Sequence, residues 1–297
     1  MTLMALAHES WITNLTLIDT MPGLAKAVAE EIRHSLASTR IPIEVCSYDE
    51  DEAVEGADIV LVTAGTPRTP QMEDRTNLIK ANAATIRQIA KVVVPKNPHA
   101  KYVIVTNPVD AMATLFKEIS QAAWVISTGT NLDSQRFRSE LAKCLDVPIT
   151  DVTGFVGGEH GSAAVFLWST VTIAGLSIEE FVDSSKKLLD KEQLQESIKE
   201  ISRLIIKSTG GTRQGPATSF RDILRSIALN SNKVLSIAAP YRTPDLSVPV
   251  MVGIPQVVGK RLGPTLEHAL THEERTNLRK AARKIYNTYQ AALTSLQ

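Results

Sequence analysis

ADIVLVTAG, residues 57–65, carries a run of four apolar residues into a tail of three small ones. Two further stretches, LTLID (15–19) and YVIVTNP (102–108), likewise end a short apolar run in polar residues. Short β-branched runs bounded by turn residues read as strands buried on both faces, which is how strands look in a parallel sheet covered by helices. Working outward, strands are expected at 15–19, 43–48, 59–63, 102–106 and 125–127. Amphipathic segments fit between them at 24–35, from about 77 to 94 before Pro95, and at 109–120 after Pro108. This alternation predicts an α/β chain with a doubly wound parallel sheet.

The second half differs, with longer helical patterns at 178–189, 191–207 and 218–229 and a β region at 233–258. It reads as an α+β part, which places a boundary near Ser127 or Asn131 and divides the chain into 1–127 and 128–297. Thr271 with Glu274 three residues on forms a capping box that opens a terminal helix reaching about Leu293.

Composition excludes several classes. The chain has 297 residues, 43% hydrophobic and 22% charged, enough to bury a large core and unlike a disordered chain. Lys plus Arg equals Asp plus Glu at 32 each, so no general positive field recruits nucleic acid or an anionic membrane. The opening MTLMALAHESW lacks a basic start and a long apolar run, and no stretch has the eighteen or so apolar residues of a membrane span, so the expectation is a cytoplasmic protein acting on small molecules. Cys46 and Cys144 lie in apolar settings without metal-ligand spacing and are expected to be buried thiols. The six histidines are scattered, so no metal is expected.

The strand ends indicate a cofactor. An acidic residue closing a strand, here Asp19, can hydrogen-bond the ribose hydroxyls of a dinucleotide and would repel a 2′-phosphate, favouring NAD; an Asp that merely starts a turn is the plainer alternative. Thr63, Ala64 and Gly65 would let a planar cofactor lie against backbone, and Asn107 ends a third strand at the same edge. The glycine-rich turn that should stand about 20 residues before its acidic partner is absent, since only eighteen residues precede Asp19. TLMALAHES then reads as the end of the helix after that turn. The expectation is a first strand and glycine turn upstream of Met1. GFVGGEHG, 154–161, is glycine-rich but has the wrong spacing and position to replace them.

Oxidising a secondary alcohol needs a base, a cation to polarise the carbonyl and an anchor for a carboxylate. His160 sits in GGEHG, on a turn where backbone can approach a ligand. A lone histidine there would more often be structural. In LDSQRFR, however, Asp133 and Arg136 share one helix face three residues apart, offering a carboxylate to hold an imidazole and a fork to grip a carboxylate.

VTAG, the PR…R loop, VTNPVD, LDSQRFR, GGEHG and GPA, in this order, resemble the lactate/malate dehydrogenase family over nearly the whole chain. The resemblance implies a Rossmann-type sheet followed by an α+β catalytic part, NAD as cofactor, and a homodimer or homotetramer. It implies that His160 exchanges the proton, Asp133 holds it, Arg136 clamps the substrate C1 carboxylate, and Arg75 closes with a mobile loop to polarise the carbonyl. Asn107 and Thr212 would line the substrate pocket. The cofactor-binding set on this reading is Asp19, Thr63, Ala64, Gly65, Asn82, Thr106 and Asn107. Arg68 resembles the malate-type enzymes, where a cation pairs with the second carboxylate of oxaloacetate, so malate and oxaloacetate are the expected substrates.

The loop from Arg68 to Arg75 is one residue longer than usual and adds Glu73 and Asp74, which leaves a lactate or other 2-oxo-acid dehydrogenase open. A homologue that has lost cofactor binding, or an NAD-using glycosidase on the same architecture, would be the other readings. The intact Asp133, Arg136 and His160 argue against the first, and the missing metal-binding set against the second.

Overall fold

Strands β1 (Asn14–Ile18) and β2 (Glu44–Tyr48) alternate with helices α1 (Thr2–Ala7) and α2 (Leu24–Leu36) at the start of the computed structural model. The structure describes residues 1–39, 41–66 and 75–297, with the side chains of 75–77 outside that description. The first half continues through β3 (Ile59–Val62), α3 (Arg75–Lys96), β4 (Lys101–Ile104), α4 (Val109–Ser120) and β5 (Val125–Ser127). The second half holds α5 (Asn131–Leu145), β6 (Val152–Gly158), β7 (Ala164–Ile173), β8 (Leu176–Ser177), α6 (Ile178–Ser185) and α7 (Lys191–Thr209). It closes with α8 (Gln214–Ala228), β9 (Lys233–Tyr241), β10 (Val250–Val258), β11 (Leu262–Thr265) and α9 (His272–Thr294).

The parallel strands form as their apolar runs predict. In β4, Tyr102 and Ile104 are fully buried on one face against Ala83, Ile86, Met112 and Phe116 of α3 and α4. Val103 is equally buried on the other face, with Leu6 of α1 and Ile223 and Leu224 of α8. Helices thus cover both faces, which explains the absence of polar alternation. Strand order departs from one continuous parallel sheet. β1 pairs with β2 alone, whereas β3, β4 and β5 are parallel neighbours in a second sheet, and among the described residues β1 and β3 are not paired. Helix α1 packs under both: Leu6 belongs to the core beneath β4 and β5, and Ala7 to the core beneath β1 and β2.

The second sheet crosses from one half of the chain to the other. β5 pairs antiparallel with β9, Ser127 opposite Ala238, and the order continues β10, β6, β7, β8, with β11 on β10. Helix α9 seals this junction, Tyr289 and Ala292 entering the core of α3 and α4 and Leu278, Ala282 and Ile285 packing on β7 and β10. Its capping box is formed as the Thr271/Glu274 spacing predicts.

Several boundaries differ from expectation for local reasons. α3 runs through Pro95 to Lys96 because a proline in the last turn forfeits one hydrogen bond only, and Asn97 N–H closes the end on Val94 O at 3.0 Å. α8 begins at Gln214, four residues early, since Pro216 stands in the first turn, where an N–H has no helical partner to lose. α6 stops at Ser185, because Lys186 takes a left-handed φ of 55°. Neither cysteine is a buried thiol. Cys144 is exposed, lying about 100° around α5 from the buried Leu145, and Cys46 is half-buried on β2 beside buried Val45.

Candidate active site

The start of α5 is stapled to β6 by buried hydroxyls. Thr130 Oγ1 donates to Val156 O at 2.5 Å, Ser236 Oγ of β9 donates to the same oxygen at 2.6 Å, and Val156 N–H donates to Ser134 Oγ at 2.9 Å. All these groups are buried, so the bonds work in a medium where an unmade one would cost about 1–3 kcal/mol. A Cβ on Gly253 would come within 2.5 Å of Thr130 Oγ1, so the β10 backbone must be bare to admit this staple. The result fixes the register between α5, which carries Asp133 and Arg136, and β6, which ends two residues before His160.

His160 Nδ1 lies 2.6 Å from Asp133 Oδ2, across 27 residues of sequence. The other carboxylate oxygen accepts from Arg136 Nη1 at 3.2 Å. An acceptor on Nδ1 makes that nitrogen the proton-bearing one and leaves Nε2 for chemistry. The Asp133 carboxylate raises the imidazole to about 9, against the pull of burial. Burial in turn pushes Asp133 up, but the charge and hydrogen bond of His160, with Arg136, hold it below the ordinary carboxylate range. The three side chains therefore meet as expected, each partly buried rather than lost in solvent.

Two further groups touch this turn. The Asp110 carboxylate of α4, 2% exposed, accepts His160 N–H through Oδ2 at 2.8 Å and Ser127 Oγ–H through Oδ1 at 2.8 Å. Burial pushes its pKa up to about 6, although both hydrogen bonds lower it. Glu159 is buried beside His160, where its Oε2 pairs with Lys284 of α9 at 2.7 Å and accepts Ala163 N–H at 3.1 Å. Sequence reading missed both. The VTNPVD motif contains Asp110, but nothing local signals a contact 50 residues away.

At the carboxyl ends of β3 and β4, Asn82 ties the strand tails together. It is 1% exposed, accepts Thr66 N–H at 2.7 Å and donates to Asn107 O at 2.7 Å. Thr106 Oγ1 donates to Ala64 O at 2.7 Å. A Cβ at Gly65, whose φ is +156°, would stand 2.8 Å from Asn82 Oδ1, so this close approach requires glycine. Thr63, Ala64, Gly65 and Asn107 are left exposed, an open backbone ledge at the sheet edge where a dinucleotide is expected. Asp19 directly follows β1, exposed; its Oδ1 accepts Met21 N–H at 2.9 Å, and no bond of its Oδ2 falls among the described residues. The ledge and the second oxygen fit a nicotinamide dinucleotide.

Thr212 lies half-buried between α7 and α8, and the adjoining Gly215 would touch Leu132, next to Asp133, if it carried a Cβ. This brings the GGTRQGPA segment beside the α5 end of the site. Arg68, Glu73 and Asp74 lie outside the described residues, as does the side chain of Arg75, whose backbone opens α3. Among the described residues no group of His, Cys, Asp and Glu could hold a metal.

Comparison with known proteins bears on the family and the fold. Residues 1–124 match the family model described as lactate/malate dehydrogenase, NAD binding domain, and 130–294 match the lactate/malate dehydrogenase alpha/beta C-terminal domain. A malate dehydrogenase of Sulfurisphaera tokodaii is 40% identical over 289 residues, 97% of this chain and 91% of that protein. An L-lactate dehydrogenase of Thermoanaerobacter is 31% identical over 291 residues, 96% of this chain and 93% of the relative. The crystal structure of Cryptosporidium parvum malate dehydrogenase superposes with a TM-score of 0.88 at 28% identity, covering 99% of this chain and 95% of that one.

Proposed function

This chain belongs to the lactate/malate dehydrogenase family, and from that premise we propose that it interconverts malate and oxaloacetate with NAD, using His160 as the proton-exchanging group. The observation that carries the proposal is the His160–Asp133–Arg136 constellation, with Nδ1 held at 2.6 Å and no bond of Nε2 among the described residues. NAD supplies or accepts the hydride. The protein's residues do the rest: Arg136, one of whose five donors is used by Asp133, grips the C1 carboxylate. The His160 imidazolium donates its Nε2 proton to the carbonyl oxygen as the carbon is reduced, and the neutral ring takes it back in the reverse direction.

Asp19, Thr63, Ala64, Gly65, Asn82, Thr106 and Asn107 are the proposed cofactor residues, with Asp19 Oδ2 receiving a ribose hydroxyl. Thr212 and Asn107 line the substrate side, and Arg75 polarises the carbonyl. The proposed division of labour gives 1–127 to the cofactor and 128–297 to the substrate, in an enzyme of the tricarboxylic acid cycle working in the cytoplasm as a homodimer or homotetramer. No helix among the described residues is long and apolar enough to cross a membrane.

Arg68 selects the dicarboxylate in this reading, supported by the malate dehydrogenase relative at 40% identity. The test is Arg68→Gln assayed with NADH on oxaloacetate and pyruvate. A guanidinium–carboxylate pair lost in a closed site costs about 2–5 kcal/mol, so kcat/KM for oxaloacetate should fall by more than about thirtyfold with pyruvate barely changed. Equal losses on both substrates would remove Arg68 from this role.

A further inference from the structure

We propose that Asp110 is a positioning residue for the proton transfer, a second carboxylate that orients His160 from its backbone side and favours the charged ring. This rests on the dehydrogenase reading. The geometry is specific. Asp133 reaches the ring at Nδ1, whereas Asp110 Oδ2 accepts the main-chain N–H of the same residue at 2.8 Å. Asp110 Oδ1 is occupied by Ser127 Oγ–H, and Ser127 Oγ in turn accepts Gly129 N–H at 3.1 Å. One carboxylate on α4 therefore joins the turn after β6 to the turn that leads from β5 into α5, the two segments that carry His160 and Asp133.

Asp110 accepts through both oxygens, which an amide with its single oxygen cannot do, so a carboxylate is what joins the two segments, and its charge stands beside the residue it holds. Among the described residues the charged groups around it are these. His160 and Glu159 come from the turn after β6, Glu159 being paired with Lys284 of α9, and Asp133 and Arg136 approach the ring from α5. The Asp110 charge adds to that of Asp133 in raising His160, while Arg136 opposes both. Burial places Asp110 itself at about 6. It is therefore ionised at pH 7 and above, where His160 exchanges its proton.

The deciding variant is Asp110→Asn, which keeps an acceptor for His160 N–H and removes the charge. Two readouts are taken. The first is an NMR titration of the His160 ring in protein without substrate, assigned by the peak missing in His160→Asn. The second is kcat/KM against pH in both directions.

The ring should titrate lower by on the order of half a pH unit. At the wild-type midpoint the reduction rate should then fall about twofold and the oxidation rate rise about 1.5-fold, the fall approaching threefold at higher pH and the rise approaching threefold at lower pH. A residue that only stabilised the fold would depress both directions together. An unmoved His160 titration, or equal losses in both directions, overturns the proposal. If Asp110→Asn does not fold, Ser127→Ala decides: it leaves the carboxylate but removes a hydrogen bond that stabilises its charge. The low-pH edge of the His160 titration should then shift, and an unchanged curve overturns the proposal equally. Should the wild type turn over no 2-oxo acid at all, the functional reading fails, while the NMR result still stands or falls alone.

Discussion

Replacing Asp133 by Asn leaves a side chain of the same shape 2.6 Å from His160 Nδ1 and removes its charge. His160 titrates at about 9 rather than the ordinary 6.5, and at about 1.36 kcal/mol per pH unit the difference is about 3 kcal/mol of preference for the imidazolium. Asp133 is the largest cause; burial, which lowers the ring and outweighs the lesser push of Asp110, stays behind in the variant together with the opposing Arg136 charge. The ring should therefore titrate at or below its ordinary value. The sign follows directly: reduction needs the charged ring, so wild-type reduction is full below the ring's pKa and is lost as pH rises through about 9. In the variant the loss moves to pH 6.5 or lower. At pH 8 the charged fraction of the ring then drops about thirtyfold or more, and kcat/KM for oxaloacetate with it; the full 3 kcal/mol, about two orders of magnitude, is reached at pH 9 and above. An amide NH₂ turned toward Nδ1 would also force the wrong tautomer and deepen the loss. The assay is NADH absorbance decay across this pH range, with NADH binding followed by fluorescence as a control that should stay within about threefold. A variant within threefold of wild type, with its falling limb still near 9, would refute the assignment of Asp133 and the chemistry built on it.

Two further substitutions probe the frame. Gly129→Ala places a Cβ 2.5 Å from Ala238 N at a φ of +50°, on the strand pair that joins the two halves of the chain; thermal unfolding should show a loss of about 2–4 kcal/mol. Asn82→Ala orphans Thr66 N–H and loses the bond to Asn107 O. It should cost about 1–3 kcal/mol and weaken NADH binding about tenfold in a fluorescence titration, whereas unchanged NADH affinity would detach Asn82 from the cofactor ledge.

The elements most visible in the sequence were those whose signal is local. The β-branched runs gave β3, β4 and β5 because burial on both faces leaves no polar alternation to confuse them, and Thr271 with Glu274 announced α9 within four residues. Asp133 and Arg136 could be paired because three residues along a helix is a fixed geometry, and His160 stood out through its flanking glycines. What escaped was non-local. The β5–β9 pairing, the Asn82 tie and the Asp110 contact join residues 111, 25 and 50 positions apart, and no periodicity reports such distances. Asp110 in particular reads as an ordinary acidic residue in the first turn of a helix, where the macrodipole favours it. The thiol of Cys144 escapes the reading because its neighbours Leu141, Ala142 and Leu145 are apolar, yet they face inward while Cys144 faces out.

On the proposed function His160 exchanges the proton, and the charges described around it favour its cationic form. Among the described residues, Asp110, Asp133 and Glu159 bring three carboxylates to the turn, against the two cations Arg136 and Lys284. With a neutral imidazole the cluster has an excess negative charge in a partly buried setting; protonation of His160 balances it three against three. When the proton passes to the forming hydroxyl, the cluster returns to its excess negative charge. The resulting pull on a proton from solvent readies the ring for the next turnover, and the side chains that set this balance sit on α4, α5, β6 and α9, held in register by the sheet that spans both halves of the chain.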